Sequence, residues 1–273
     1  MTSGFDVVVA GLAFPEAPRW HDGALWFSDI HDGRVYRQNG ALTCVAEVPG
    51  WPSGLGFLPD GRLLVVSMTE RRVLRLDPDG LACHADLTGI ATWHTNDLVV
   101  DRQGRAYIGN HGDGSSFGEP ARPADLALVG PSGTTRVAAS GLSVANGMVL
   151  LDDERTLAVA ETRSDPPRVT LFDVGLDGTL ANRRPLITLD QEAPDGLAVD
   201  PEGNVWVASP LTRELLCVTR SGRLAGRMKT GQAPLSCVFG GARGTTLFVC
   251  ESDAWGHEES RTRRVGRVTV REL

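Results

Sequence analysis

The polar side chains that could work together in this chain are far apart in sequence but share one local context. Asp195 stands in Ala193-Pro-Asp-Gly-Leu-Ala-Val-Asp-Pro-Glu-Gly-Asn-Val-Trp-Val-Ala-Ser209, just ahead of an apolar strand, a Pro/Gly turn and a second apolar strand. Five other stretches repeat that pattern, and the residues opening the first strand of each are Glu16, Ser53, Asn96, Asn146, Asp195 and Ser236. Two carboxylates and two carboxamides, with no Cys or His among them, form an oxygen-donor set. Such a set suits a hard divalent cation, calcium above all, with magnesium or manganese possible and zinc less expected from ligand type. Taken singly, Asn146-Gly147 and Asp195-Gly196 would read as turn residues. Equivalence across six segments favours the cation, because two carboxylates brought together repel unless a cation or a proton intervenes.

The elements that must position this ring follow from the repeat. The segments 16–28, 53–67, 96–109, 146–160, 195–209 and 236–250 each read as strand, Asp- or Gly-rich turn, strand. Their polar positions are spaced from 37 residues (16 to 53) to 50 (96 to 146), near the length of one propeller blade. A further period-two strand follows each hairpin, at Gly33–Arg37, Arg72–Leu76, Ala124–Val129, Arg168–Phe172, Glu214–Val218 and Val265–Val270. The 32 Gly and 16 Pro supply the many turns this requires. The expectation is an all-β, six-bladed β-propeller of four-stranded antiparallel blades, one domain over residues 1–273. Asp6-Val-Val-Val-Ala10 has no blade of its own, and is expected to close the ring as the outermost strand of the last blade. In such a ring the six polar residues converge at one end of the central channel.

Composition narrows the function. A net charge of −7 disfavours nucleic acid as a partner, and no apolar run approaches a membrane-spanning length. Five cysteines without CxxC spacing, mostly in apolar strand-like contexts, read as buried free thiols in a reducing compartment. Residues 1–6 carry neither a basic nor an apolar leader segment, so a cytoplasmic location is expected. Oligomeric state is not read from the sequence. There is no Gly-x-Ser-x-Gly elbow and no phosphate loop with Lys. No stretch shows a helical period with caps, and Glu258–Arg264 reads as a solvated turn.

Phe14-Pro-Glu-Ala-Pro-Arg-Trp20, Asn96-Asp-Leu-Val-Val-Asp101, Ala145-Asn-Gly-Met148, Pro194-Asp-Gly-Leu-Ala-Val-Asp200 and Leu235-Ser-Cys-Val-Phe-Gly-Gly241 resemble the signature segments of the senescence marker protein/gluconolactonase (regucalcin-like) family of six-bladed propellers. The resemblance covers nearly the whole chain. It implies one divalent metal held by Glu16, Asn146 and Asp195, with Asn96 as a further ligand or substrate contact, and hydrolysis of a lactone or related small ester. A metal with open positions polarises a carbonyl and acidifies bound water, and Asp195 is the candidate general base. Where many sugar lactonases of that family carry an Arg, this chain has His94, a shorter group titrating near neutrality. The Gly/Pro-rich stretch 109–123 has the length of a functional lid, and its His111 and Asp113 occupy the region of the family's substrate contacts. Trp51, Trp93 and Phe117 are candidates to line an apolar pocket beneath it. Two other readings stand beside the hydrolase: a binding propeller whose cation is structural, and a non-hydrolytic enzyme on the same scaffold.

Overall fold

Period-two alternation becomes six antiparallel sheets of four strands in the computed structural model, which describes residues 4–112, 114, 118, 120 and 122–273. The innermost strands of the blades are, in chain order, Pro15–His21, Pro52–Phe57, Thr95–Val100, Ala145–Leu151, Leu197–Val199 and Pro234–Gly240. Each packs against the innermost strands of the two adjacent blades, the sixth against the first, so they surround a central channel. The ring is closed as expected: Asp6–Leu12 pairs antiparallel with Gly266–Glu272 and becomes the outer strand of the sixth blade, Asp6 opposite Val270 and Leu12 opposite Gly266.

Burial falls from the channel outward. The second strands, such as Leu63–Ser67 and Val205–Ser209, are buried throughout, whereas the outer strands Ala41–Glu47 and Leu180–Thr188 are largely exposed. The core among the described residues is six apolar clusters, one at each blade interface. Leu64, Val66 and Val73 of the second blade meet Leu98, Ile108 and Val129 of the third. Val9, Cys250 and Val268 of the sixth meet Leu25 and Phe27 of the first. Stability therefore depends on every interface of the ring, since each blade buries its faces only against its neighbours.

Two blades add the same polar clamp. Arg168-Val-Thr170 in the fourth and Arg267-Val-Thr269 in the sixth each hold a fully buried glutamate of the preceding strand. Arg168 Nε lies 3.0 Å from Glu161 Oε1, and Arg267 Nη2 lies 2.7 Å from Glu251 Oε2, with Thr170 and Thr269 donating to the same carboxylates.

Two expectations are corrected. Glu258–Arg264 is not a turn: His257–Arg263 forms an α-helix between the last two strands of the sixth blade. Glu258 and Glu259 occupy its first turn and Arg261 and Arg263 its last, in the sense the helix dipole favours. Seven residues span under two turns, too few to display a hydrophobic period. The cysteines divide: Cys237 and Cys250 are buried, but Cys44 and Cys83 are exposed on outer strands, which no further strand covers. No helix among the described residues is long and apolar enough to cross a membrane.

Candidate metal centre

The inner strands do not begin as regular ladders. The pairing register shifts between Glu16 and Arg19, Pro52 and Leu55, Thr95 and Leu98, Ala145 and Met148, and Pro234 and Ser236. Such irregularities re-aim side chains at the end of a strand, here at the channel mouth. In the fifth blade the regular strand starts only at Leu197, and Asp195 is held by its backbone N–H to Ala208 O at 2.9 Å.

The glycines after the ring residues have a role other than the turn conformation the sequence suggested. Neither Gly147 nor Gly196 has a positive φ. A Cβ on Gly147 would lie 2.4 Å from Asp195 O, and one on Gly196 would lie 2.1 Å from Ser236 Oγ. Glycine is required because adjacent inner strands nearly touch there, and that approach draws Asn146, Asp195 and Ser236 into one ring.

One pocket of about 340 Å³ opens at this end of the channel, a size suited to a small molecule. Glu16, Asn96, Asn146 and Asp195 line it, together with His94 and His111. Those six sequence-derived candidates are thus brought together. Asp113 and Phe117 lie outside the described residues. Trp51 also lines the pocket; Trp93 instead stacks on His94 with ring centroids 5.0 Å apart. A second cavity, of about 380 Å³, opens at the opposite ends of the inner strands beside Arg19, Arg102 and Glu154, and holds none of the ring.

The electrostatics mark Glu16 and Asp195. Each keeps some exposure toward the pocket, but dense protein surrounds it elsewhere. Burial, and then the charge of Asp195, hold the Glu16 carboxyl well above its usual range. Burial also pushes Asp195 up to about 8, with the charge of Asp97 adding and a hydrogen bond from Asn146 opposing. Glu16 Oε2 accepts from Ala17 N–H at 2.6 Å, and neither carboxylate forms a salt bridge among the described residues. Ser236 Oγ, buried in the same ring, has no hydrogen-bond partner there. Ser53 Oγ donates to Asn96 Oδ1 at 3.2 Å. Asn146 Nδ2 donates to Thr162 Oγ1 at 3.2 Å. Among the described residues no three His, Cys, Asp or Glu side chains cluster as a metal site, so the donor set depends on the carboxamides. Two under-satisfied carboxylates flanked by amide oxygens fit a hard cation.

The sequence reading missed two groups. Asp97, next to Asn96, is buried against Arg19, with Arg19 Nη2 at 2.6 Å from Asp97 Oδ1, and its charge acts on both Glu16 and Asp195. His31 and Trp255 also line the pocket. His31 Nδ1 lies 2.6 Å from Ser260 Oγ of the short helix. Burial, with His257 and Arg261, lowers the His31 pKa to about 4, so its ring is neutral at physiological pH. The partner helix was invisible in the sequence, and so was this wall of the pocket. His94 is likewise shifted down, by burial and then by Arg71.

Residues 14–252 match the family model described as the SMP-30/Gluconolactonase/LRE-like region. The chain belongs to this family. Among its SMP-30/gluconolactonase relatives is a protein named gluconolactonase from Zymomonas mobilis, 24% identical over 73% of this chain and 60% of its own length. A protein named pentonolactonase XacC from Haloferax volcanii is 26% identical over 74% of this chain and 68% of its own. The same fold recurs in solved structures. A gluconolactonase from Xanthomonas campestris superposes with a TM-score of 0.78 at 22% identity, covering 98% of this chain and 89% of that one. A calcium-binding regucalcin from Agrobacterium tumefaciens gives 0.81 at 18% identity, covering 97% and 93%.

Proposed function

We propose that this protein is a metal-dependent hydrolase that opens a lactone or related small ester. One observation carries the reading. Two partly exposed carboxylates, Glu16 and Asp195, share the floor of a small-molecule-sized pocket without a basic partner among the described residues, flanked by the carboxamides of Asn96 and Asn146. Kinship with proteins named gluconolactonase and pentonolactonase supports the reaction class. Glu16, Asn146 and Asp195 would hold the cation, calcium most naturally, with Asn96 beside them. When bound, the cation supplies a Lewis acid for the acyl oxygen and lowers the pKa of an adjacent water.

The side chains have separable tasks. Glu16, Asn146 and Asp195 would hold the cation at the channel mouth, beside the pocket that takes the acyl group. Asp195 takes the proton of the attacking water as the new C–O bond forms at the acyl carbon. Cleavage of the ring C–O bond releases an alkoxide that takes that proton from Asp195, giving a hydroxy acid that ionises at neutral pH. His94 and His111, which line the pocket, orient the ring oxygen or a substituent. A cation kept only for structure would not need to face an open pocket, which favours the enzyme over a small-molecule-binding propeller with a structural cation.

The test is lactone hydrolysis followed by proton release, with and without chelator, for the wild type and Asp195→Ala. Metal-dependent turnover lost in the variant is expected. A broad lactone panel giving none, with fold and bound metal intact, overturns the hydrolase reading.

A further inference from the structure

The repeat that builds the oxygen ring builds a second layer over it. Two positions before four of the six ring members, just ahead of the inner strands, stand Phe14 before Glu16, Trp51 before Ser53, His94 before Asn96 and Val144 before Asn146. All four line the pocket, and Ile30, Met68 and Trp255 fill the space between them. The layer is mostly aromatic or aliphatic. Phe14 stands 5.8 Å from Trp255 and 4.8 Å from His31, ring centre to ring centre, and Trp51 lies 5.6 Å from His31.

The backbone supplies an independent observation. Trp51 and Val144 adopt left-handed conformations, at φ 66° and 53°. For a bulky and a β-branched residue this costs about 1–2 kcal/mol each. Strain of that kind persists at sites the surrounding structure over-determines, commonly ligand sites. Here it occurs at two of the three equivalent positions that bring apolar side chains over the ring.

A polyhydroxylated sugar lactone presents a hydroxyl on nearly every ring carbon. Each one buried without a partner costs about 1–3 kcal/mol. Among the described residues, the side chains of Phe14, Trp51, Val144 and Trp255 offer no hydrogen-bond acceptor, and the polar groups that line the pocket with them are the ring, Thr162, Arg163 and the imidazoles of His31, His94 and His111. We propose that the substrate is a lactone bearing an apolar or aromatic substituent, seated against Phe14, Trp51, Val144 and Trp255, in preference to a sugar lactone. The assignment rests on the hydrolase reading for its chemistry, but not for its binding surface.

Trp255 suits the test because it is 50% exposed at the rim and its replacement leaves the blade cores intact. With calcium-loaded protein, kcat/KM for γ-phenyl-γ-butyrolactone is expected to exceed that for D-glucono-δ-lactone at least tenfold. Trp255→Ala should reduce that ratio at least fivefold, chiefly through KM. Binding of the unreactive γ-phenyl-γ-butyrolactam, read by tryptophan fluorescence quenching, should weaken by a similar factor. Preference for the sugar lactone, or an unchanged ratio in Trp255→Ala, overturns the substrate assignment and leaves the hydrolase reading in place. Lactam binding that depends on Trp255, with neither lactone turned over, supports the apolar site and counts against hydrolysis. Absence of both turnover and binding overturns the two together.

Discussion

Arg19 reaches across the channel to Asp97, 78 residues later in the chain, and Arg19 Nη2 sits 2.6 Å from Asp97 Oδ1 and 2.8 Å from Leu98 O. This buried pair ties the first blade to the third beside the two candidate ligands. It also sets their charge environment. Three carboxylates, Glu16, Asp97 and Asp195, act on one another, and Arg19 cancels one of the three charges. The remaining pair matches a divalent cation.

Arg19→Met should therefore be strongly destabilising. It leaves Asp97 buried without its cation, a change that costs about 3–5 kcal/mol in comparable sites. The double variant Arg19→Met/Asp97→Asn should regain most of the loss, because no uncompensated charge remains. Denaturant unfolding of both variants checks this. A single variant as stable as the wild type would show that the pair does not hold the channel together.

Metal binding should compete with protons. Asp195 is held at about 8 by burial and then by the charge of Asp97, so near pH 6 the metal-free site keeps a proton that a cation must displace. Calcium affinity is expected to rise at least about tenfold per pH unit from 6 toward 8, since Glu16 as well as Asp195 is held above its usual range. The folded carboxyl also binds its proton more tightly than the unfolded one. Metal-free stability should therefore fall as pH rises from about 4 to 8, and calcium should restore it. Calorimetry in buffers of different ionisation enthalpy reads the released proton; pH-independent binding without proton release would refute the shared-proton site.

Most of the ring was legible because it is repeated. A polar residue, a short strand and a turn recurring six times place Glu16, Asn96, Asn146 and Asp195 at one level, whatever each segment alone suggests. The neighbours that appear once were not legible. Arg19 stands within Phe14–Trp20 with no role of its own in the repeat, and only the folded ring shows that it meets Asp97. His31 gains its meaning from Ser260, 229 residues away. Gly147 and Gly196 looked like turn formers, because a clash across a blade interface leaves no local signature.

Glu161 should govern acid stability. Burial alone would raise its pKa, but hydrogen bonds from Arg168, Thr170 and Arg183 outweigh that and hold it below the ordinary carboxylate value of 4.5. The clamp's contribution is thus complete above about 4.5 and is lost as pH falls through the lower folded value. Glu161→Gln should remove most of this acid dependence from the fourth blade. It should cost about 3 kcal/mol at neutral pH, near the low end for buried pairs because both arginines are about one-third exposed. Thermal unfolding between pH 3 and 7 checks it; parallel curves for wild type and variant would contradict the clamp.

Gly147→Ala separates channel geometry from ligand chemistry. The new Cβ would meet Asp195 O at 2.4 Å, and backbone cannot step aside as a flexible side chain would. The fourth and fifth blades must part at the channel mouth, at a cost of about 1–3 kcal/mol. No ligand atom is removed, yet Asn146 and Asp195 would move apart, and a divalent cation held by both should bind at least tenfold more weakly. Gly226→Ala, on an outer strand with open space around it, is the matched control and should bind calcium as the wild type does. Equal calcium affinity in the two variants would mean that Asn146 and Asp195 do not act on a common ion.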